Sequence, residues 1–95
     1  MDIPPYPRLS VDISVYTNGD PHPSPQALIT AILREGRVDD IATASRFYGR
    51  EAVDTVFLAM TEADWLLGVP PDRRPVATLI RNRAAFILDQ LARDS

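Results

Sequence analysis

The side chains that most often carry catalysis are scarce in this chain of 95 residues. There is no cysteine, and the one histidine, His22, lies between two prolines. These counts exclude disulfides, a cysteine nucleophile and thiolate zinc sites, and one histidine is too few for a histidine-rich metal site. The adjacent carboxylates of Asp39 and Asp40 fall at a predicted helix start, where they indicate N-capping rather than acid–base catalysis. We expect no enzyme, no catalytic residue, no metal and no cofactor.

The basic residues are ten arginines with no lysine, against thirteen carboxylates, which gives a net charge of −3. Exclusive use of arginine is typical of a G- and C-rich genome and suggests a bacterial source. The charge is uneven, because residues 73–95 carry five arginines and two acids. Such a region indicates either a solvated helix face or contacts with an anion or nucleic acid. The candidate residues for these contacts are Arg73, Arg74, Arg81 and Arg83.

The stretch SRFYGREAVDTVFLAM, residues 45–60, predicts two helices that meet at Gly49. This is the general pattern of a DNA-reading helix-turn-helix. The second helix would turn Glu51 and Asp54 toward the phosphates, and this opposes binding. We expect instead a helical hairpin that closes a small core. The residues expected inside this hairpin are Phe47, Tyr48, Val53 and Phe57.

Helical periodicity and capping residues predict four to five short helices over residues 24–95. Ser24 and Pro25 fit the start of the first helix, which should end at Gly36. Thr61 is expected to cap a short segment, TEADWLLG. Asp72 is expected to cap the last and longest helix. Its inward-facing apolar stripe is predicted to be Val76, Leu79, Ile80, Ala84, Ile87 and Leu91.

Residues 1–23 predict an extended, proline-rich arm, since six of the nine prolines lie in the first quarter of the chain. Val11, Ile13 and Val15 alternate with other residues at a period of two, which predicts a strand over residues 9–16. No second strand is predicted, so this strand would pair with a partner protein or with its own copy in a dimer. An ordered tail on the domain surface is the alternative. The expected fold is mainly α: a small helical bundle with an extended N-terminal arm.

The N-terminal sequence MDIPPYPR lacks the charged and apolar regions of a signal peptide. The longest apolar runs, such as VFLAM, are too short to cross a bilayer. We therefore expect a cytoplasmic protein with no membrane partner.

A run of short motifs covers residues 28–60, LITAILREGRVDDIATASRFYGREAVDTVFLAM. An apolar helix is followed by REG, then DDI, then an aromatic pair with glycine, then a second amphipathic helix. This resembles a family of small bacterial proteins of unknown function with a pattern of the type R-x-L-x-x-G-x-x-x-D-x-x-x-L-x-x-x-Y-G. The arginine comes late in the segment here, which departs from that pattern. The residues that carry the resemblance are Arg34, Gly36, Asp40, Tyr48 and Gly49.

The resemblance implies a function for the chain. Members of that kind are often encoded beside a nucleotidyltransferase-type toxin and are taken to be its antitoxin. We therefore expect an antitoxin-like binding module that neutralises a partner enzyme encoded nearby by protein–protein contact. An acidic protein can cover a basic site on an enzyme, and complementary charge speeds association. On physical grounds, the residues expected to contact the partner are Tyr6, Arg8, Val11, Ile13, Val15, Tyr16 and Trp65.

Two alternatives stay open at the level of sequence. One is a small DNA-binding transcriptional repressor that uses residues 40–60 or the helix with Arg81 and Arg83, although nucleic acid is not the expected partner. The other is a homodimeric structural module whose strands pair across a two-fold axis.

Overall fold

The computed structural model describes residues 6–10, 13–17 and 23–93. Within these residues the chain forms six α-helices and a 3-10 turn, with no strand, and the mainly-α fold class is confirmed. Five of the helices follow Ser24. Among the described residues, no helix is both long enough and apolar enough to cross a membrane. The elements are α1 (Ile13–Thr17), α2 (Pro25–Glu35), α3 (Val38–Tyr48), α4 (Arg50–Ala59), α5 (Glu62–Leu66), the 3-10 turn (Pro71–Arg73) and α6 (Arg74–Arg93).

Helix α2 lies at the centre of the bundle and contacts α1, α3, α4 and α6. It begins as predicted, because the Ser24 Oγ accepts a hydrogen bond from the Ala27 N–H at 3.1 Å and Pro25 occupies the first turn. It ends as predicted at Gly36, whose φ of 71° is the left-handed conformation that favours glycine. Its buried side chains form the middle of the core, and they are Leu28, Ile29, Ile32 and Leu33.

The predicted interior of the α3–α4 hairpin is confirmed in part. Val53 is fully buried, and Tyr48 and Phe57 are half-buried against the core. Phe47 is exposed, so its assignment to the interior was wrong. Its ring lies edge-on to that of Tyr48 at 4.9 Å, outside the core proper. The hairpin therefore closes the core through α4 and the half-buried ring of Tyr48.

The predicted strand over residues 9–16 is wrong where the structure describes it. Ile13–Thr17 form α1, which packs on α2, and residues 6–10 have no regular secondary structure. Val11 lies outside the described residues. A helix satisfies backbone hydrogen bonds within itself, whereas a lone strand leaves both edges unpaired, and this favours α1. The strand pairing proposed for a homodimer has no basis in residues 13–17.

Of the other predicted helix caps, two are wrong and one is confirmed. Helix α3 begins after Arg37, which makes no side-chain cap, and Asp40 is buried inside the first turn. Asp72 lies in the 3-10 turn, and α6 starts two residues later and runs for 20 residues. Thr61 does cap α5, through a capping box in which its hydroxyl and the Asp64 carboxylate each accept a backbone N–H.

Helix α6 buries only part of its predicted apolar stripe. Ala84 and Ile87 are buried, and Ile80 and Leu91 are half-buried against the core. Val76 and Leu79 instead lie at the surface, so their prediction as inward-facing residues was wrong. The apolar face of this helix is wider than the part that contacts the bundle. That contact is made partly through the small side chains of Ala77 and Ala84.

Candidate functional site

An open groove of about 570 Å³ lies where α1, α2, the end of α5 and the start of α6 meet. Its position follows from the turn after α5, where Gly68 and two prolines direct the chain back toward α6. Three charged residues line it: Arg34, Glu35 and Arg73. The apolar residues that line it include Val15, Trp65, Val69, Val76 and Ile80. A mainly apolar concave surface with a few charged groups is the usual composition of a binding site.

Trp65 supports this groove from within the core. Its side chain is 5% exposed and packs edge-to-face on Phe57, with ring centres 5.8 Å apart. The sequence predicted Trp65 as an anchor for a partner. The structure places it beneath the groove, where it shapes the surface and presents little of its ring.

The two arginines that line the groove differ in how they are held. Arg34, in the last turn of α2, donates a hydrogen bond from Nη2 to the Leu67 carbonyl oxygen at the end of α5. Arg73, in the 3-10 turn, is exposed. Neither forms an ion pair with a carboxylate within the part of the chain that the structure describes.

A buried carboxylate holds the α1 wall of the groove in place. Asp40 is 1% exposed and accepts three hydrogen bonds: from the Ser10 N–H and the Ser10 Oγ, both at 2.7 Å, and from the Tyr16 hydroxyl. Tyr16 lines the groove beside Val15. Asp40 lies in the first turn of α3. It thus binds Tyr16 and Ser10, which come 24 and 30 positions earlier in the chain.

The pKa shifts in this cluster indicate a structural role. Burial opposes ionisation of Asp40, but the hydrogen bonds from Tyr16 and Ser10 and the nearby Arg37 charge hold its pKa below the ordinary value. Burial and the hydrogen bond to Asp40 raise the pKa of Tyr16 well above its ordinary value. Both pKa values move away from neutrality, so neither group is prepared for proton transfer near pH 7.

A row of exposed side chains on α6 continues from the groove. It consists of Val76, Leu79, Arg83 and Phe86, at spacings of three, four and three residues, and is called here the outer row. Val76 is 45% exposed, Leu79 66% and Phe86 64%. Residues so spaced lie along one side of a helix and span about 15 Å here, at 1.5 Å per residue. Val76 belongs to both the groove and the outer row, so the two form one surface.

The structure brings together only some of the residues that were predicted to bind a partner. Val15, Tyr16 and Trp65 line the groove, together with Arg73, which was a candidate for anion contacts. The others are placed as follows: Tyr6 is half-buried against the core, Arg8 is exposed, Ile13 is half-buried, and Val11 is not described.

The candidate anion-binding arginines do not form one cluster. Arg74, Arg81 and Arg83 are all exposed. Arg83 lies in the outer row, whereas Arg74 and Arg81, seven residues apart, lie on the other side of the helix axis. The sequence did not point to Arg34, Val76, Leu79 or Phe86 as members of a binding surface. The spacing of Val76, Leu79 and Phe86 was the available signal, since it marks a second apolar row on α6.

The α3–α4 hairpin does not have the surface of a DNA reader. Gly49 alone joins the two helices. The only arginine of α4, Arg50, is half-buried, lies 3.8 Å from the Asp54 carboxylate and donates to the Ala92 carbonyl oxygen at 3.3 Å. The exposed side of α4 carries Glu51, which repels phosphate.

Among the described residues, no group of three or more histidine, cysteine or acidic side chains is placed to hold a metal ion. No protein-family model, curated protein or solved structure matches the chain. The groove and the outer row are therefore the features of the described residues that bear on function.

Proposed function

We propose that this chain is a protein-binding module that contacts its partner through the outer row of α6 and the adjoining groove. The observation that supports this proposal is that Val76, Leu79 and Phe86 are exposed in one row on the longest helix. Single exposed apolar residues are normal on soluble proteins, but three large ones in a row along one helix favour an interaction site. A partner helix with apolar residues at similar spacing fits such a row.

The specific form of this proposal is an antitoxin-like module that neutralises an enzyme encoded nearby. The resemblance of residues 28–60 supports it, and so does the net charge of −3, which favours association with a basic enzyme. Three of the five residues that carry this resemblance support the groove: Gly36 ends α2 beside Ile80, Asp40 holds α1, and Arg34 lines the groove.

Co-expression with the product of the neighbouring gene tests the binding step. Light scattering after size-exclusion chromatography should show a stable hetero-complex. The double variant Leu79→Glu/Phe86→Glu should lose the complex, because two charges would be buried against apolar groups. The matched control is Leu58→Glu, an 80% exposed leucine on α4 outside the outer row, which should bind like the wild type. Failure to form a complex, or survival of the complex in the double variant, would contradict the proposal.

Growth of cells that express the neighbouring gene tests neutralisation. If the product is toxic, co-expression of the wild type or Leu58→Glu should restore growth, and the double variant should not. A complex that forms without restoring growth would support the proposal of a binding module and contradict the antitoxin role. Circular dichroism of each variant should match the wild type, since all three altered side chains are exposed.

DNA binding is the second candidate, and one observation favours it. Arg74 and Arg81 are exposed on one side of α6 and form no ion pair within the described residues. A gel shift on the chain's own promoter over a salt series is the test. Binding that weakens steeply with salt and is lost in Arg74→Gln/Arg81→Gln would favour this candidate, and its absence at low salt would remove it.

A further inference from the structure

We infer that the groove binds a carboxylate group carried on an apolar segment of the partner protein. The identity of the carrier rests on the proposed function. The carboxylate selectivity rests on the groove itself, and it is derived from two arginines and the apolar side chains around them.

Arg34 lines the groove and is held there by a hydrogen bond. A guanidinium has five N–H donors in a planar fork that matches the two oxygens of a carboxylate. A hydrogen bond from Nη2 to the Leu67 carbonyl oxygen fixes the half-buried side chain across the groove from α2 to the end of α5. This bond uses only one of the donors. A pre-oriented arginine loses less side-chain entropy when it binds an anion than a freely rotating one does.

Arg73 adds a second cation to the same groove, and Glu35 is the only acid that lines it among the described residues. The charges of the described lining residues therefore sum to +1, in a chain whose net charge is −3. No carboxylate of the described chain pairs with either arginine. The local charge thus favours an incoming anion although the chain as a whole is acidic.

The remaining lining indicates what must carry the anion. Val15, Val76, Ile80 and the edge of Trp65 offer apolar surface next to the arginines. A polyphosphate or a nucleic-acid backbone has no apolar group to place there and would leave that surface in water. A carboxylate attached to an apolar body matches both kinds of surface. An aspartate or glutamate flanked by apolar residues is such a ligand.

A segment of a different protein fits better than a second copy of this chain. The groove is open and runs into the outer row at Val76, so an extended or helical segment can lie across both. A second copy would bring its own Arg83 to the facing outer row. The only carboxylate of α6, Asp89, lies 3.1 Å from Arg93 and is already paired. Like charges across an interface without a counter-charge oppose association.

The first experiment tests the chemistry of the groove with a small probe. Trp65 is the only tryptophan of the chain and lines the groove, so its fluorescence reports occupancy. Phenylbutyrate is the probe, and phenylbutanamide, which keeps the apolar body and lacks the charge, is its control. We expect the acid to bind about tenfold more tightly than the amide because only the charged form can accept charge-assisted hydrogen bonds from arginine. Arg73→Gln should remove this preference, and Arg74→Gln, an exposed arginine that does not line the groove, should keep it.

The second experiment tests the source of the carboxylate in the hetero-complex with the neighbouring gene product. Arg73→Gln should raise the dissociation constant about tenfold, and Arg74→Gln should leave it within about twofold. Arg34→Lys keeps the charge but loses the fork, and should also weaken binding. Circular dichroism shows whether this variant remains folded, since Arg34 also contacts α5.

The outcomes separate this inference from the proposed function. Equal binding of the acid and the amide overturns the carboxylate site, whatever the complex does. Selective binding of the acid with an unchanged complex in Arg73→Gln makes the groove a site for small acids and overturns the partner segment as the source. Absence of a complex rejects the proposed function and with it the partner segment, while the probe experiment still decides the chemistry of the groove.

Discussion

Neutralising Asp40 should destabilise the fold by weakening the hydrogen bonds that tie the N-terminal residues to α3. The change to examine is Asp40→Asn, which keeps the size of a side chain that is 1% exposed. The carboxylate accepts three hydrogen bonds, two from Ser10 and one from Tyr16. Asparagine can retain the bond from the Ser10 N–H, and the two hydroxyls can turn to accept from its amide. What is lost is the negative charge on the acceptor.

The magnitude follows from the difference between charged and neutral hydrogen bonds. A bond to a charged group contributes about 1 kcal/mol more than a neutral one, so three bonds give about 3 kcal/mol. Asparagine also avoids the cost of burying a charge, and this offsets part of the lost hydrogen-bond free energy. The net loss of folding free energy is about 2 kcal/mol. For a domain of this size, that lowers Tm by roughly 10 °C. The adjacent and exposed Asp39→Asn is the control, and it should cost about 0.5 kcal/mol through the helix dipole.

Urea unfolding followed by circular dichroism measures both variants, and a cycle with Tyr16→Phe isolates the bond between the two side chains. The coupling between Asp40→Asn and Tyr16→Phe should be about 1 kcal/mol. Because the folded pKa of Asp40 is lowered, its stabilisation is complete above the ordinary value of 3.8 and is lost as the pH falls through the folded pKa. The Asp40→Asn variant should lack this acid-dependent part. Equal losses in Asp40→Asn and Asp39→Asn, or zero coupling, would refute the reasoning.

The remaining predictions concern the ends of helices, and urea unfolding measures each of them. Gly36→Ala should cost about 2 kcal/mol, because φ is +71° and the new Cβ would lie 3.0 Å from the Ile80 Cγ2. Gly68→Ala has a similar φ of +73° with no atom within 4 Å, so it should cost about 1 kcal/mol; equal losses would show that the Ile80 contact is easily relieved. Thr61→Ala should cost about 1 kcal/mol through loss of the capping box, whereas Thr55→Ala, inside α4, should cost nothing. A loss of the same size at Thr55 would mean that the cap is not the cause.

Much of the helical part of the fold could be predicted from local signals. Helix starts and ends are marked by Ser24 with Pro25, by Gly36, by Gly49 and by Thr61. Each of these signals acts within four residues of its own position. Apolar periodicity between these positions was sufficient to predict four to five helices. Such signals succeed because caps and helix faces depend on hydrogen bonds and side chains that are close in sequence.

The site could be predicted only in part, because its members depend on contacts between distant residues. The sequence pointed to Val15, Tyr16, Trp65 and Arg73, and the structure places all four on one groove. It gave no reason to join them to Arg34, since the bond from Arg34 to the Leu67 carbonyl oxygen crosses 33 residues.

By itself, the sequence determined the helical class, the order of the helices after residue 24 and most of their ends. The tertiary structure decided three things that local pattern cannot. It placed residues 13–17 as a helix against α2, where the Tyr16 hydroxyl donates to Asp40, 24 residues away. It turned Asp40 from an expected cap into a buried acceptor. It also left Leu79 outside, because an apolar arc shows which residues can be buried, whereas the neighbouring helices determine how much of that arc they cover.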